Sequence, residues 1–156
     1  MTDQEQKKLV LVADDDASIR MICRVNFEAE GFEVVEATDG PQAIELARRE
    51  RPAVILLDVM LPELDGFEVA DDLLSDPDTA AIPIVFLSGR VDQEAQARGL
   101  QLGGIAYVTK PFDPFELAMT LLEIVREDPR ERETDRQARL RALRAGRWTS
   151  VGRANQ

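Results

Sequence analysis

The chain's 156 residues leave room for one domain with a full core plus appendages, but not for two full-sized domains. With 44% apolar and 31% charged residues and a formal net charge of -11, it reads as a folded protein whose acidic surface argues against nucleic acid as a partner of the main body. Histidine is absent and cysteine occurs once, at Cys23, which excludes His-based metal sites, Ser-His or Cys-His catalysis, an internal disulfide and a cysteine-rich zinc site.

The first residues hold acids and no apolar stretch, so 1–7 is expected to be a short lead rather than a secretory signal. Five short apolar runs follow: LVLVA (9–13), FEVVEA (32–37), AVILL (53–57), IVFL (84–87) and AYV (106–108). Runs of this length read as strands of a parallel sheet covered on both faces. After each comes a stretch with helical spacing, at 17–30, 41–49, 67–74, 92–102 and 114–126, as in Ile44 and Ala47 or Leu117, Leu121, Leu122, Ile124 and Val125. Asp39 and Asp113 stand where caps belong, just ahead of Pro41 and Pro114. Gly31 stops the first helix, Gly103 and Gly104 close the fourth, and Asp128 with Pro129 ends the fifth. Cys23, between Ile22 and Val25, is expected to be a buried spectator thiol.

Five strand-helix repeats predict an α/β fold, a parallel sheet with helices on both faces, over 8–128. The remainder, 129–156, is a different kind of segment: residues 1–128 carry 11 basic and 27 acidic groups, whereas 129–156 carry 8 and 3. No apolar run is long enough to span a bilayer, and a cytoplasmic location is expected.

In a parallel sheet all strands end at the same edge, where ligands bind. That places Asp14, Asp15 and Asp16, then Asp58, Ser88 and Lys110, in one neighbourhood. Singly, each has a plain structural alternative: Asp16 or Ser88 as a helix cap, Lys110 as an ion partner, Asp58 as a strand-end acid. Together they make a parts list. Clustered carboxylates repel one another unless a cation shares the site, and Mg2+ takes oxygen ligands from one or two carboxylates while keeping room for phosphate. With Lys110 as fixed positive charge and Ser88 as hydroxyl donor, the set suits phosphoryl transfer.

The acid pair Asp14 and Asp15, DVMLPELDG around Asp58, LSG at Ser88 and YVTKPF at Lys110 resemble, in that order, the motifs of the response-regulator receiver family over nearly all of 9–126. The resemblance implies a CheY-like (flavodoxin-like) doubly wound five-stranded parallel sheet with five flanking helices. It also implies that Asp58 accepts a phosphoryl group from a phosphohistidine on a sensor histidine kinase or histidine phosphotransfer protein. Asp14, Asp15, Asp58 and the Met60 backbone carbonyl would organise Mg2+, and Lys110 would offset the remaining charge. Such a protein is no enzyme beyond the phosphorylation of its own aspartate. Pro62 would stiffen the loop after Asp58 and Gly66 would permit its tight exit.

By the same resemblance, Ser88 turns toward the phosphoryl group and Tyr107 rotates inward. The face built from the fourth helix, fifth strand and fifth helix is thereby remodelled for a downstream protein target. The plain alternative for Tyr107 is an aromatic on an edge strand. Apolar Ile105, beside that face, hints at a contact surface.

In the tail, Leu140 and Leu143 with Ala138, Ala142 and Ala145 give a narrow apolar stripe suited to a helix, with Trp148 beyond. A solvated arm, an arm docked on a partner or on a second protomer of a homodimer, and a nucleic-acid arm are its alternatives. The segment is too short for a usual DNA-binding domain, so a stand-alone regulator with no DNA-binding domain is expected. A phosphorylation-independent receiver-fold scaffold and an intermediate relay protein are the competing readings. An aspartyl phosphatase of the haloacid dehalogenase type would need a second acid two residues after Asp58, where Met60 stands, and no GxGxxG or P-loop stretch points to nucleotide.

Overall fold

The computed structural model describes residues 8–146 and the backbone of 148–150 and 153–154; the lead expected at 1–7 lies outside the described residues. The five apolar runs become β1 (Lys8–Ala13), β2 (Phe32–Ala37), β3 (Val54–Asp58), β4 (Ile84–Ser88) and β5 (Ala106–Thr109). All pair in parallel in one sheet of order β2-β1-β3-β4-β5. The intervening helices are α1 (Ala17–Ala29), α2 (Gly40–Glu50), α3 (Gly66–Ser75) and α4 (Gln93–Leu102), with α5 (Pro114–Arg126) after β5.

Period-two alternation assigns each strand residue to a face. Val10, Val12, Val54, Leu56, Val85 and Leu87 pack against Cys23 and Phe27 of α1 and Leu117 and Leu121 of α5. Their neighbours Leu11, Ile55, Leu57, Ile84 and Phe86 pack against Ile44 and Ala47 of α2, Phe67 and Leu73 of α3, and Ala95 of α4. Each such side chain contributes about 1.5–3 kcal/mol through burial, so the five-residue run of β3, buried throughout, pins the centre of the sheet. Cys23 is buried as expected, and burial pushes its thiol pKa up to about 12, consistent with an inert role.

Aspartates cap every helix so far named: Asp16, Asp39, Asp65, Asp92 and Asp113 each accept a backbone N–H of the first turn. Part of the chain's acidity is thus spent at helix N-termini, where the dipole favours it. Asp92 sits outside α4 as its cap rather than within it.

The C-terminal segment adds a helix to the five that flank the sheet, where the Leu140 and Leu143 stripe suits one. A sixth helix, α6 (Pro129–Arg144), follows α5 after only Glu127 and Asp128. Asp128 and Pro129 therefore do more than end α5: Asp128 caps α6 in a reciprocal capping box with Glu131, and Pro129 occupies its first turn. Beyond it, β6 (Trp148–Ser150) and β7 (Arg153–Ala154) pair antiparallel.

Candidate functional site

The sheet order reverses direction at β1 and β3, so the crevice beyond their carboxyl ends lies at a topological switch point. Asp14 follows β1 directly and Asp58 is the last residue of β3; both are nearly sealed from solvent, at 1% and 3% exposure. Lys110, just past β5, sends its Nζ between them, 2.9 Å from Asp14 Oδ2 and 3.1 Å from Asp58 Oδ2. The other Asp58 oxygen accepts the Met60 N–H at 2.9 Å, and the other Asp14 oxygen accepts the Asp16 N–H at 2.9 Å. Two carboxylates and one ammonium thus hold one another in register while each acid keeps a backbone donor.

Burial pushes the Asp58 pKa above the ordinary carboxylate value; the Met60 N–H opposes this, the Asp14 charge adds to it, and Lys110 opposes it. For Lys110, burial works against the charged form, but the bond to Asp14 and the charges of both acids outweigh it and raise its pKa. A cluster with one cation among three acids retains a deficit of positive charge. Among the described residues, Asp14, Asp15 and Asp58 form a group of three acids with carboxylate oxygens within 4.8 Å of one another. Three hard oxygen donors, with Asp15 exposed to solvent, match the ligand chemistry of Mg2+.

The loop from β3 to α3 is shaped by close backbone approach. Gly66 donates its N–H to the Val59 carbonyl at 2.8 Å, and a side chain there would collide with the Asp58 carbonyl. The Pro62 carbonyl accepts the N–H groups of Leu64 and Gly40, which ties the loop to the start of α2. Met60 projects its side chain outward, 62% exposed, at the mouth.

Ser88 is buried at the end of β4, one residue past Leu87, the sheet partner of Asp58, and its Oγ accepts the Arg90 N–H at 3.0 Å. It closes a turn and caps no helix, because the cap of α4 is Asp92 four residues on. Tyr107 is only 2% exposed and packs near Phe86, with its hydroxyl donating to the Arg90 carbonyl at 2.9 Å. The ring thus lies in the interior rather than exposed on an edge strand. Ile105, expected at a contact surface, is buried, and its carbonyl accepts a guanidinium N–H of Arg139 in α6.

One supporting residue lay outside the sequence reading. Arg20 of α1 donates to the Asp14 carbonyl at 2.8 Å while pairing with Glu36 of β2 at 2.8 Å, and so clamps the backbone under the acid. Burial works against the Glu36 charge, but the bonds from Arg24 and Arg20 outweigh it and hold that carboxyl below the usual range. The only hint in the sequence was Arg20 and Arg24 at i, i+4 on one helix face.

Fold and acid cluster together are those of a receiver-type signalling module. The chain belongs to the response regulator receiver domain family, which residues 10–122 match. It is 40% identical over 124 residues to the probable transcriptional regulator ycf27 of Guillardia theta, covering 80% of this chain and 48% of that protein. The chain spans about half the length of the curated relatives it matches. Among solved structures, the chemotaxis response regulator CheY4 of Vibrio cholerae superposes with a TM-score of 0.72 at 31% identity, over 76% of this chain and 99% of that one. The receiver domain of the sensor histidine kinase PA1611 of Pseudomonas aeruginosa, solved with a magnesium ion in its active-site cleft, gives a TM-score of 0.72 at 27% identity, over 78% and 100%. Receiver domains bind Mg2+ at an acidic cluster of this kind and are in general signalling modules rather than enzymes. No helix among the described residues is long and apolar enough to cross a membrane.

Proposed function

We propose that the chain is a phosphorylation-controlled switch in which Asp58 accepts a phosphoryl group from a phosphohistidine on a sensor histidine kinase or histidine phosphotransfer protein. The observation that carries this is Asp58 itself, buried, fixed by the Met60 amide and joined to Asp14 through Lys110. A rigid carboxylate at a strand end is oriented for in-line attack before the donor arrives. One Asp58 carboxylate oxygen forms the new O–P bond as the P–N bond to the donor imidazole breaks, and the electron pair stays on that nitrogen. Lys110 offsets charge on the transferring oxygens, and the Ser88 hydroxyl donates to one of them. Bound Mg2+, held by Asp14, Asp15, Asp58 and the Met60 carbonyl, would neutralise the acids and draw in the phosphoryl oxygens.

These 156 residues contain no histidine, so the donor group lies outside them. Exposed Met21 and Val25 on α1, the helix that begins beside the acid cluster, supply an apolar face for a helical donor. The signal leaves by protein contact through the face of α4, β5 and α5, in the cytoplasm. Incubation of wild type and Asp58→Asn with a small phosphodonor and Mg2+, followed by gentle intact-mass measurement, tests the reading. One added phosphoryl mass in wild type alone supports it; no addition to either protein at raised donor and Mg2+ favours a phosphorylation-independent scaffold.

A further inference from the structure

Helix α6 lies along α4, although it leaves the chain at the end of α5. Only Leu140 and Leu143 of α6 are buried, closing on Leu100 with Ala97 packed against them. The remaining hold is polar: Arg136 donates to the Leu100 carbonyl, Arg139 to the Ile105 carbonyl at 2.9 Å, and the Gln93 side-chain amide to the Leu143 carbonyl at 2.8 Å. A helix this charged, with so narrow an apolar stripe, is not stable unsupported in water. Its folding depends on the dock. The dock in turn covers α4 and the approach to β5, two of the three elements of the proposed output face.

The far end of α6 is linked to the phosphorylation site by a short stretch of chain. Ser88 Oγ accepts the Arg90 N–H, and the Arg90 carbonyl accepts the Tyr107 hydroxyl. The Arg90 guanidinium pairs with Asp92 at 3.1 Å, and Asp92 caps α4. Gln93, the first residue of α4, holds Leu143. If Ser88 turns its hydroxyl to a phosphoryl oxygen on Asp58, its Oγ leaves the Arg90 amide and the loop loses its tie to β4. The N-terminus of α4 is then free to shift, and the Gln93 bond to α6 is the contact that a shift breaks first.

We propose that α6 is a latch on the output face, docked while Asp58 is unmodified and released when Asp58 carries a phosphoryl group. The latch rests on the phosphoacceptor reading of Asp58 and adds to it an element that the phosphoryl group controls. By thermodynamic reciprocity, a protein whose α6 is already released binds a phosphoryl mimic more tightly by the same factor.

The test is amide hydrogen exchange on the full chain with Mg2+, with and without BeF3−, which caps a carboxylate oxygen as a phosphoryl mimic. Release predicts exchange at 136–145 about tenfold faster with BeF3−, alongside changes at 58–60 and 88–90. Leu140→Glu with Leu143→Glu, which leaves the sheet untouched, should exchange fast at 136–145 without the mimic and bind BeF3− about tenfold more tightly, equivalent to about 1.4 kcal/mol. Gln93→Ala, which keeps the apolar packing, should move both readouts in the same direction by less. A response at 58–60 and 88–90 with 136–145 unchanged or slowed sinks the latch alone, as does wild-type BeF3− affinity in the double variant. If no segment responds to BeF3−, the phosphoacceptor reading fails and the latch falls with it.

Discussion

Gly66→Ala isolates the contribution of backbone geometry to the site, because it adds one methyl group and removes no functional atom. The new Cβ would stand 2.3 Å from the Asp58 carbonyl oxygen and 2.8 Å from the Val59 Cα, where ordinary contact begins at 3.4 Å. Both obstacles are backbone, so the start of α3 must retreat by about 1 Å from the end of β3. That retreat strains or breaks the Gly66 bond to Val59 and drags on Asp58. Overpacking of about 1–3 kcal/mol plus a lost hydrogen bond of about 1 kcal/mol predicts destabilisation of about 2–4 kcal/mol. A displacement of this size at a nucleophile predicts phosphoryl uptake about a hundredfold slower. Gly89→Ala is the control: a Cβ there meets nothing within 4 Å, so stability should stay within about 0.5 kcal/mol of wild type. Urea unfolding followed by circular dichroism, together with uptake from a small phosphodonor, reads both quantities. Wild-type midpoint and wild-type rate in Gly66→Ala would refute the reasoning.

The Asp58 pKa is raised in the folded state, so its contribution to stability is full below the unfolded pKa and is lost as pH rises through the folded value. Without divalent cation, Asp58→Asn should therefore gain on wild type in urea midpoint as pH rises; with Mg2+ at ten times its Kd, wild type should recover about 1.4 kcal/mol. Parallel pH curves for the two proteins would contradict this. Met21→Glu with Val25→Glu should slow transfer from a cognate histidine kinase at least tenfold while leaving uptake from a small donor unchanged, and equal loss in both assays would remove α1 as the docking face. At the junction of α5 and α6, burial and a shared hydrogen bond with Asp135 push the Glu127 pKa up to about 7. Carboxyl NMR should find its midpoint there in wild type and a fall toward 4.5 in Asp135→Asn. The stabilisation tied to that proton is lost as pH rises through about 7, and a wild-type midpoint near 4.5 would remove the effect.

Much of the site was legible before any fold was seen, because parallel strands must end at one edge and Asp14, Asp58, Ser88 and Lys110 each stand at or just after a strand-length run. Asp39 and Asp113 read correctly as caps for a similar reason: a cap acts on amides two or three residues away, so its signal is local. Ser88 shows where such signals mislead. A hydroxyl after a strand is equally suited to a cap and to a turn, and only the position of Asp92 decides between them. Asp128 and Pro129 carried a second message that went unread, since the Asp-x-x-Glu spacing with proline in the first turn announces a helix start as plainly as a stop.

Sequence alone determined what depends on short-range chemistry: the five strand runs, the helix caps, and the residue types gathered at the carboxyl edge. Tertiary structure decided what depends on surfaces meeting across the chain. Arg20 reaches the Asp14 carbonyl only because α1 lies beside β2, and Tyr107 is interior only because α4 closes over β5. The placement of α6 is the clearest case. A stripe of two leucines fits many apolar surfaces, and what selects α4 is the set of partners there, the Leu100 and Ile105 carbonyls for two arginines and the Gln93 amide for a helix end, brought together from 34–50 positions away.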